Sequence, residues 1–153
     1  MILKPDTISK IVQEGKGQGK TFVFTNGCFD IIHPGHVRYL KESKKLGDYQ
    51  IVALNSDDSV RRLKGESRPI NSLEDRAEVM ASLSSVDFVT FFDEDTPKEV
   101  LDIIRPNILT KGGDYVKEDV VGYELLKSYG GVVVILSFVD GKSTTNIIEK
   151  SKA

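Results

Sequence analysis

The sequence predicts an α/β fold with a five-stranded, mostly parallel sheet and helices on both faces. Two features predict it. Five apolar runs of strand length, rich in Val, Ile and Phe, alternate with segments of helical periodicity; strands buried on both faces need such near-continuous apolar runs. Helical crossovers then join parallel neighbours, where a tight turn would join antiparallel ones. The 153 residues are the length of one domain. The expectation is a single Rossmann-like domain over residues 1–153, with 1–19 as an N-terminal helix and link and 20–150 as the core.

The elements follow in order. Residues 6–14 place Ile8, Ile11 and Val12 on one side of a short helix, and 15–19 read as a flexible link. Residues 22–26 form the first strand, and 35–46 a helix with Val37, Leu40 and Leu46 toward one side. The second strand is 50–55. A long connection follows, holding the basic run Arg61, Arg62 and Lys64 in a flexible stretch and then a helix over 72–83. Beyond the third strand, 86–92, Thr96 is placed to cap a helix and Pro97 to begin it. Glu99 completes a capping box before Val100, Leu101, Ile103 and Ile104. Arg105-Pro106 ends that helix. The fourth strand is 107–111, a helix over 118–129 stops at Gly130-Gly131, the fifth strand is 132–136, and Ser143 caps a last helix. Strand order is not readable from this pattern.

Composition excludes several classes of function. At 39% hydrophobic and 29% charged, the chain has the balance of a folded globular protein. Its 21 Lys+Arg against 23 Asp+Glu, a net charge of -2, supply no broad basic surface for nucleic acid or membrane. The single cysteine, Cys28, has no partner in the chain for a disulfide. No apolar run approaches the length of a membrane span, and residues 1–15 lack the pattern of a secretory leader. The expected setting is the cytoplasm, with no nucleic-acid or membrane partner.

The densest chemistry lies in Thr25-Asn26-Gly27-Cys28-Phe29-Asp30-Ile31-Ile32-His33-Pro34-Gly35-His36, at the C-terminal end of the first strand. Open parallel sheets bind ligands at that end. His33 and His36, the only histidines, flank a Pro-Gly at a helix start, where first-turn amides and the helix dipole attract phosphate. The same dipole disfavours imidazolium and leaves neutral rings that each donate one hydrogen bond. Gly27 and Gly35 let backbone approach a ligand. A plainer reading has His33 capping the helix and His36 packing. A zinc reading through Cys28, Asp30, His33 and His36 fits no standard spacing. Elsewhere, Ser143, Thr144 and Thr145 bring hydroxyls and amides to a helix start, either as a second anion site or as an ordinary cap. Lys111-Gly112-Gly113-Asp114 follows the fourth strand, whose end shares a crevice with that of the first in a doubly wound sheet. It is either a sugar-reading loop or a turn. Arg76 either meets phosphate or pairs with Asp75 or Glu74.

Asn26-Gly27-Cys28-Phe29-Asp30 followed by His33-Pro34-Gly35-His36 resembles the cytidylyltransferase-like nucleotidyltransferase superfamily, whose hallmark is His-x-Gly-His. The likeness continues through residues 59–65, Arg68-Pro69-Ile70, Glu74-Asp75-Arg76, Lys111-Gly112-Gly113-Asp114-Tyr115 and Gly141-Lys142-Ser143-Thr144-Thr145. It is nearest to the adenylyltransferase domain of bacterial ADP-heptose synthesis, often fused behind a sugar kinase; no kinase segment is present in these 153 residues. The resemblance implies AMP transfer from ATP to a sugar 1-phosphate, D-glycero-D-manno-heptose 1-phosphate, with Mg²⁺ carried on the triphosphate and a homodimer as the assembly. It assigns His33, His36 and Lys64 to catalysis. Asn26, Gly27, Cys28, Phe29, Asp30, Gly35, Arg76, Lys111, Gly112, Gly113, Ser143, Thr144 and Thr145 go to nucleotide binding, and Asp114 and Tyr115 to the sugar. No resident metal-ligand set is expected.

Two alternatives stand beside this one. A glycerol 3-phosphate cytidylyltransferase shares the architecture, but its relatives carry an arginine where this chain has Phe138, and Phe cannot hydrogen-bond a base edge. A nucleotide sensor without turnover would not need both histidines. Nothing in the sequence pairs carboxylates, or a nucleophile with a base, as hydrolysis or a covalent intermediate requires. Cys28 reads as a small buried residue.

Overall fold

Strand β1 (Phe22–Gly27) runs through the centre of the sheet between β2 (Tyr49–Asn55) and β4 (Ile108–Gly112), with β3 (Phe88–Phe92) and β5 (Val132–Leu136) outside them. The computed structural model that shows this describes residues 2–137, Ile148 and Ser151. All four ladders are parallel. The order β3-β2-β1-β4-β5 steps one way from β1 to β3 and the other way through β4 and β5. The switch therefore falls between β1 and β4, the position where such sheets hold ligands. β1 stays in register with β2 to its last residue, Gly27↔Leu54. Among the described residues its register with β4 ends at Phe24↔Leu109, so the sheet forks there.

The two-residue alternation of the strands feeds two cores. Phe22, Phe24, Ile51, Ala53 and Leu109 face one way, onto α1 (Pro5–Gly17), α5 (Lys98–Ile104) and α6 (Tyr123–Ser128). Val52, Leu54 and Val89 face the other way, onto Tyr39 and Leu40 of α2 (Pro34–Lys44) and Ala77 and Met80 of α4 (Leu73–Ala81). Full burial of each large apolar side chain is worth roughly 1.5–3 kcal/mol, so α2 is anchored by Leu40 from below. No helix of the described residues is long and apolar enough to cross a membrane.

Several expectations about elements are corrected. The basic run is not a flexible stretch: it is helix α3 (Asp57–Lys64), capped by Ser56, whose Oγ accepts the Ser59 N–H at 3.1 Å. Helix α1 runs on through Gly15 to Gly17, and Gly15 lies against the Phe22 ring, where a Cβ would come within 2.4 Å. The helix expected over 118–129 is divided. A single 3-10 turn (Lys117–Asp119) precedes Gly122, which adopts φ 100°, and only then does α6 begin. A Cβ at Gly122 would stand 2.7 Å from Leu101 Cδ1, so the close approach of this loop to the core needs glycine. Helix α5 starts at Lys98 with no side-chain cap, leaving Thr96 one position too early for the expected capping box. The last helix expected from Ser143 falls outside the described residues.

Candidate active site

His33 and His36 stand at the start of α2, just beyond the C-terminal end of β1, with ring centroids 3.9 Å apart and planes 26° from parallel. A reciprocal capping box holds them. The Gly35 N–H donates to His33 Nδ1 at 3.1 Å, and the His33 N–H donates to His36 Nδ1 at 3.4 Å. A neutral imidazole whose Nδ1 accepts carries its proton on Nε2, so the cap makes both Nε2 atoms donors. Burial, and next the charge of His33, pull the His36 pKa down to about 4. The neutral ring expected from the sequence is present, but its causes are burial and its neighbour.

The first-turn amides do something other than expected. Pro34 has none, the Gly35 N–H goes to His33 Nδ1, and the His36 and Val37 N–H groups donate to the His33 carbonyl. In this arrangement those amides are engaged within the chain, and His36 is the partly exposed ring at the helix start. Phe29 closes the constellation. Its backbone takes φ 46°, a region that costs a non-glycine residue about 1–3 kcal/mol, and its ring meets His36 edge-on at 5.1 Å. That ring crosses Gly27, where a Cβ would stand 2.9 Å from it.

Two residues expected on the nucleotide are held by the chain itself. Arg76 has a fully buried guanidinium that donates to the carbonyls of Asn71, Cys28 and Asn55 and to the Asp57 carboxylate at 2.8–3.0 Å. It pairs neither with Asp75 nor with Glu74; it clamps the turn after β1 to the end of β2 and to the linker between α3 and α4. Asp30 is the reciprocal clamp, accepting from the Arg68 Nε and from the Ile70 and Asn71 N–H groups. Burial alone would raise its pKa, but the bonds from Asn71, Ile70 and Arg68 outweigh it and hold the carboxyl below its ordinary value. With Asp30 so engaged, the four-residue zinc reading loses a ligand. Among the described residues no group of three or more His, Cys, Asp or Glu could hold a metal ion.

Lys64 is the last residue of α3 and is exposed, followed by Gly65 at φ 105°. Its neighbours Arg61 and Arg62 pair with Asp58 and Asp95, whereas Lys64 has no ion pair among the described residues. The Cys28 thiol is pushed up by burial, and Lys64 is the first of the cations that oppose this. Cys28 itself stays a protonated thiol. Asn26 closes β1 beside Gly27. At the end of β4, Lys111 Nζ lies 5.0 Å from the Tyr115 ring centre, Gly113 takes φ 109°, and Asp114 and Tyr115 are exposed. Beside His33 the surface opens into a pocket of about 430 Å³ lined by Ile32, His33, Pro34, Val37, Arg38 and Lys41. Phe138, Ser143, Thr144 and Thr145 lie outside the described residues.

Sequence reasoning missed the groups behind the histidines: Thr25, Tyr39, Ser43 and Thr110, whose hydroxyls join in one buried cluster. Their signal was present as polar residues at core-facing positions of two strands and one helix.

The cytidylyltransferase-like family model matches residues 24–150. The chain is 54% identical over 145 residues to the bifunctional protein HldE of Pelobacter propionicus, a match covering 95% of this chain and 30% of that protein. It therefore spans about a third of that relative's length. Among solved structures it resembles the lipopolysaccharide core biosynthesis protein from Thermoplasma volcanium, with a TM-score of 0.66 and 30% identity over 81% of this chain and all of that one. The pantoate-beta-alanine ligase of Francisella tularensis shares the fold, with a TM-score of 0.59 at 14% identity over 99% of this chain and 77% of that one. With the family model covering most of the chain, His33 and His36 included, the chain belongs to the cytidylyltransferase-like family of nucleotidyltransferases.

Proposed function

We propose that this domain transfers AMP from ATP to D-glycero-D-manno-heptose 1-phosphate, giving ADP-heptose and pyrophosphate. The observation that carries the reading is the stacked His33/His36 pair, whose Nδ1 atoms accept backbone N–H groups and whose Nε2 atoms are donors at the switch point of the sheet. The likeness to an HldE protein and to a lipopolysaccharide core biosynthesis protein supports the heptose acceptor.

The chemistry asks for positioning and charge neutralisation. An oxygen of the sugar phosphate attacks the α-phosphorus, and the bond from that phosphorus to the bridging β-oxygen breaks as pyrophosphate leaves. The attacking phosphate is already ionised near neutral pH, with a second pKa of about 6, so no general base is required. His33 and His36 donate Nε2–H to the oxygens on which charge grows, in the manner of an oxyanion hole. Lys64, a mobile point charge at the end of α3, follows the phosphates. Asn26, Gly27, Cys28 and Gly35 line the approach to the phosphates, with Ser143, Thr144 and Thr145 as the second anion site. Lys111, Gly112 and Gly113 face the nucleoside, and Asp114 and Tyr115 face the sugar. Mg²⁺ arrives with the triphosphate as part of the substrate. The domain works as a cytoplasmic homodimer, where ATP is available.

Pyrophosphate release measured for ATP, CTP, GTP and UTP against a panel of sugar phosphates tests the proposal. ATP with the heptose 1-phosphate should give the highest kcat/KM, because a site that hydrogen-bonds its base rejects a wrong one by large factors. A preference for CTP with glycerol 3-phosphate would overturn donor and acceptor together.

A further inference from the structure

Where α2 packs on the sheet, the hydroxyls of Thr25, Tyr39, Ser43 and Thr110 are buried together. Tyr39 Oη donates to Thr110 Oγ1 at 3.0 Å, and Thr25 Oγ1 lies 2.8 Å from Tyr39 Oη. Because the single Tyr39 proton goes to Thr110, Thr25 is the donor to Tyr39. Ser43 Oγ lies 2.8 Å from Thr110 Oγ1, and the Thr110 carbonyl, 3.4 Å from Thr25 Oγ1, is the alternative acceptor for the Thr25 proton. A buried hydroxyl left unpaired is destabilising, so a valine is the safer occupant of a core strand.

The placement gives these hydroxyls a purpose. Thr25 immediately precedes Asn26-Gly27-Cys28, and Thr110 immediately precedes Lys111-Gly112-Gly113. The ladder between β1 and β4 ends one residue earlier, at Phe24↔Leu109, so the Tyr39 hydroxyl bridges the fork as it opens. On α2, His33, His36, Tyr39 and Ser43 follow one another at spacings of three, three and four, which sets them along one helix face. The same face therefore carries the two imidazoles at its N-terminal end and the hydroxyl anchor further along the helix.

We propose that Tyr39 is a positioning residue: through Thr25 and Thr110 its hydroxyl sets the rotation and depth of α2 over the fork, and with them the His33 and His36 Nε2 groups. The inference rests on the nucleotidyl-transfer reading. A donor aimed at charge in the transition state loses its effect on small displacement, whereas ATP binding is spread over many contacts. The loss should fall on kcat.

Steady-state pyrophosphate release by the full chain tests this. Tyr39→Phe keeps the ring and deletes the hydroxyl; kcat should fall about tenfold with the KM for ATP within about twofold. Thr110→Val should reproduce the loss, and Thr110→Ser, which retains Oγ, should restore kcat. The deciding arm is a double-mutant cycle: with His36 already replaced by Ala, Tyr39→Phe should cost less than it does in the wild type, since one of the two groups it positions is gone. A full loss persisting in that background, or a loss confined to KM or to Tm, overturns the proposal. Should Tyr39→Phe not fold, the Thr110→Val and Thr110→Ser pair makes the same comparison. Unchanged kcat in Tyr39→Phe overturns the positioning role alone; absence of pyrophosphate release by the wild type overturns the underlying reading and this one with it.

Discussion

The two nitrogens of His33 face different tasks, and single substitutions can separate them. Nδ1 caps α2 through the Gly35 N–H, a contact typically worth about 1 kcal/mol, while Nε2 carries the proton. His33→Ala removes both; His33→Ser keeps a capping oxygen but cannot reach a phosphate. Both variants should lose turnover by about a hundredfold or more, and only His33→Ala should lose a few degrees of Tm. Near-normal pyrophosphate release from His33→Ser would reduce His33 to a cap. His36 adds a pH signature. Its folded pKa of about 4 lies below the ordinary 6.5, through burial and then through His33, so the unfolded chain binds that proton more readily. The stability His36 contributes is fully present above pH 6.5 and is lost progressively as pH falls toward 4. Thermal melts across that window should show Tm falling in the wild type and a flatter profile in His36→Gln; identical profiles would contradict the assignment. Asp30, held below its ordinary value, loses its contribution only at more acidic pH.

At the scale of elements, α3 and α4 divide the basic residues into clamps and reaching groups, a division no charge count reveals. The signals for α3 were legible: Ser56 as a cap, Asp57 and Asp58 in the first turn, and Arg61, Arg62 and Lys64 in the last. It escaped because only Ser59 and Val60 of this helix are buried, too few for an apolar stripe. Arg76 escaped for a different reason. An arginine on a core-facing helix position is equally compatible with a ligand and with carbonyl oxygens, and only tertiary structure supplies the carbonyls of Cys28, Asn55 and Asn71. The two cations should answer substitution oppositely. Arg76→Lys cannot fork to three carbonyls and a carboxylate, so unfolding free energy should fall by about 3 kcal/mol while the KM for ATP in the folded fraction stays near wild type. Lys64→Gln should leave Tm unchanged and raise the KM for ATP while lowering kcat. Denaturation and kinetics on the pair check both statements, and an Arg76→Lys that melts normally but binds ATP poorly would return Arg76 to the nucleotide.

Across the whole molecule, the sheet and the crevice were legible to different degrees. Five strands and their parallel sense followed from apolar runs and crossover lengths. Their order did not, because alternation fixes which residues face a core and not which strand lies beside which. Glycine made the crevice visible nonetheless: the glycines at the ends of β1 and β4 mark two strand ends where side chains give way, and the structure brings those strands together. The β4 side of that crevice ends in a loop where Asp114 and Tyr115 are exposed and Lys111 lies against the Tyr115 ring. An exposed carboxylate repels a triphosphate but accepts hydrogen bonds from sugar hydroxyls, so Asp114 should serve the acceptor and not the donor. Asp114→Ala should raise the acceptor KM or lower kcat by more than it changes ATP affinity. ATP affinity itself should hold or tighten, because a negative charge has been removed. Binding of a non-hydrolysable ATP analogue, followed by kinetics with the acceptor varied at saturating ATP, separates the two effects. A variant that loses analogue binding while keeping its acceptor KM would move this loop to the nucleotide, and the sugar would then have to be read from another part of the crevice.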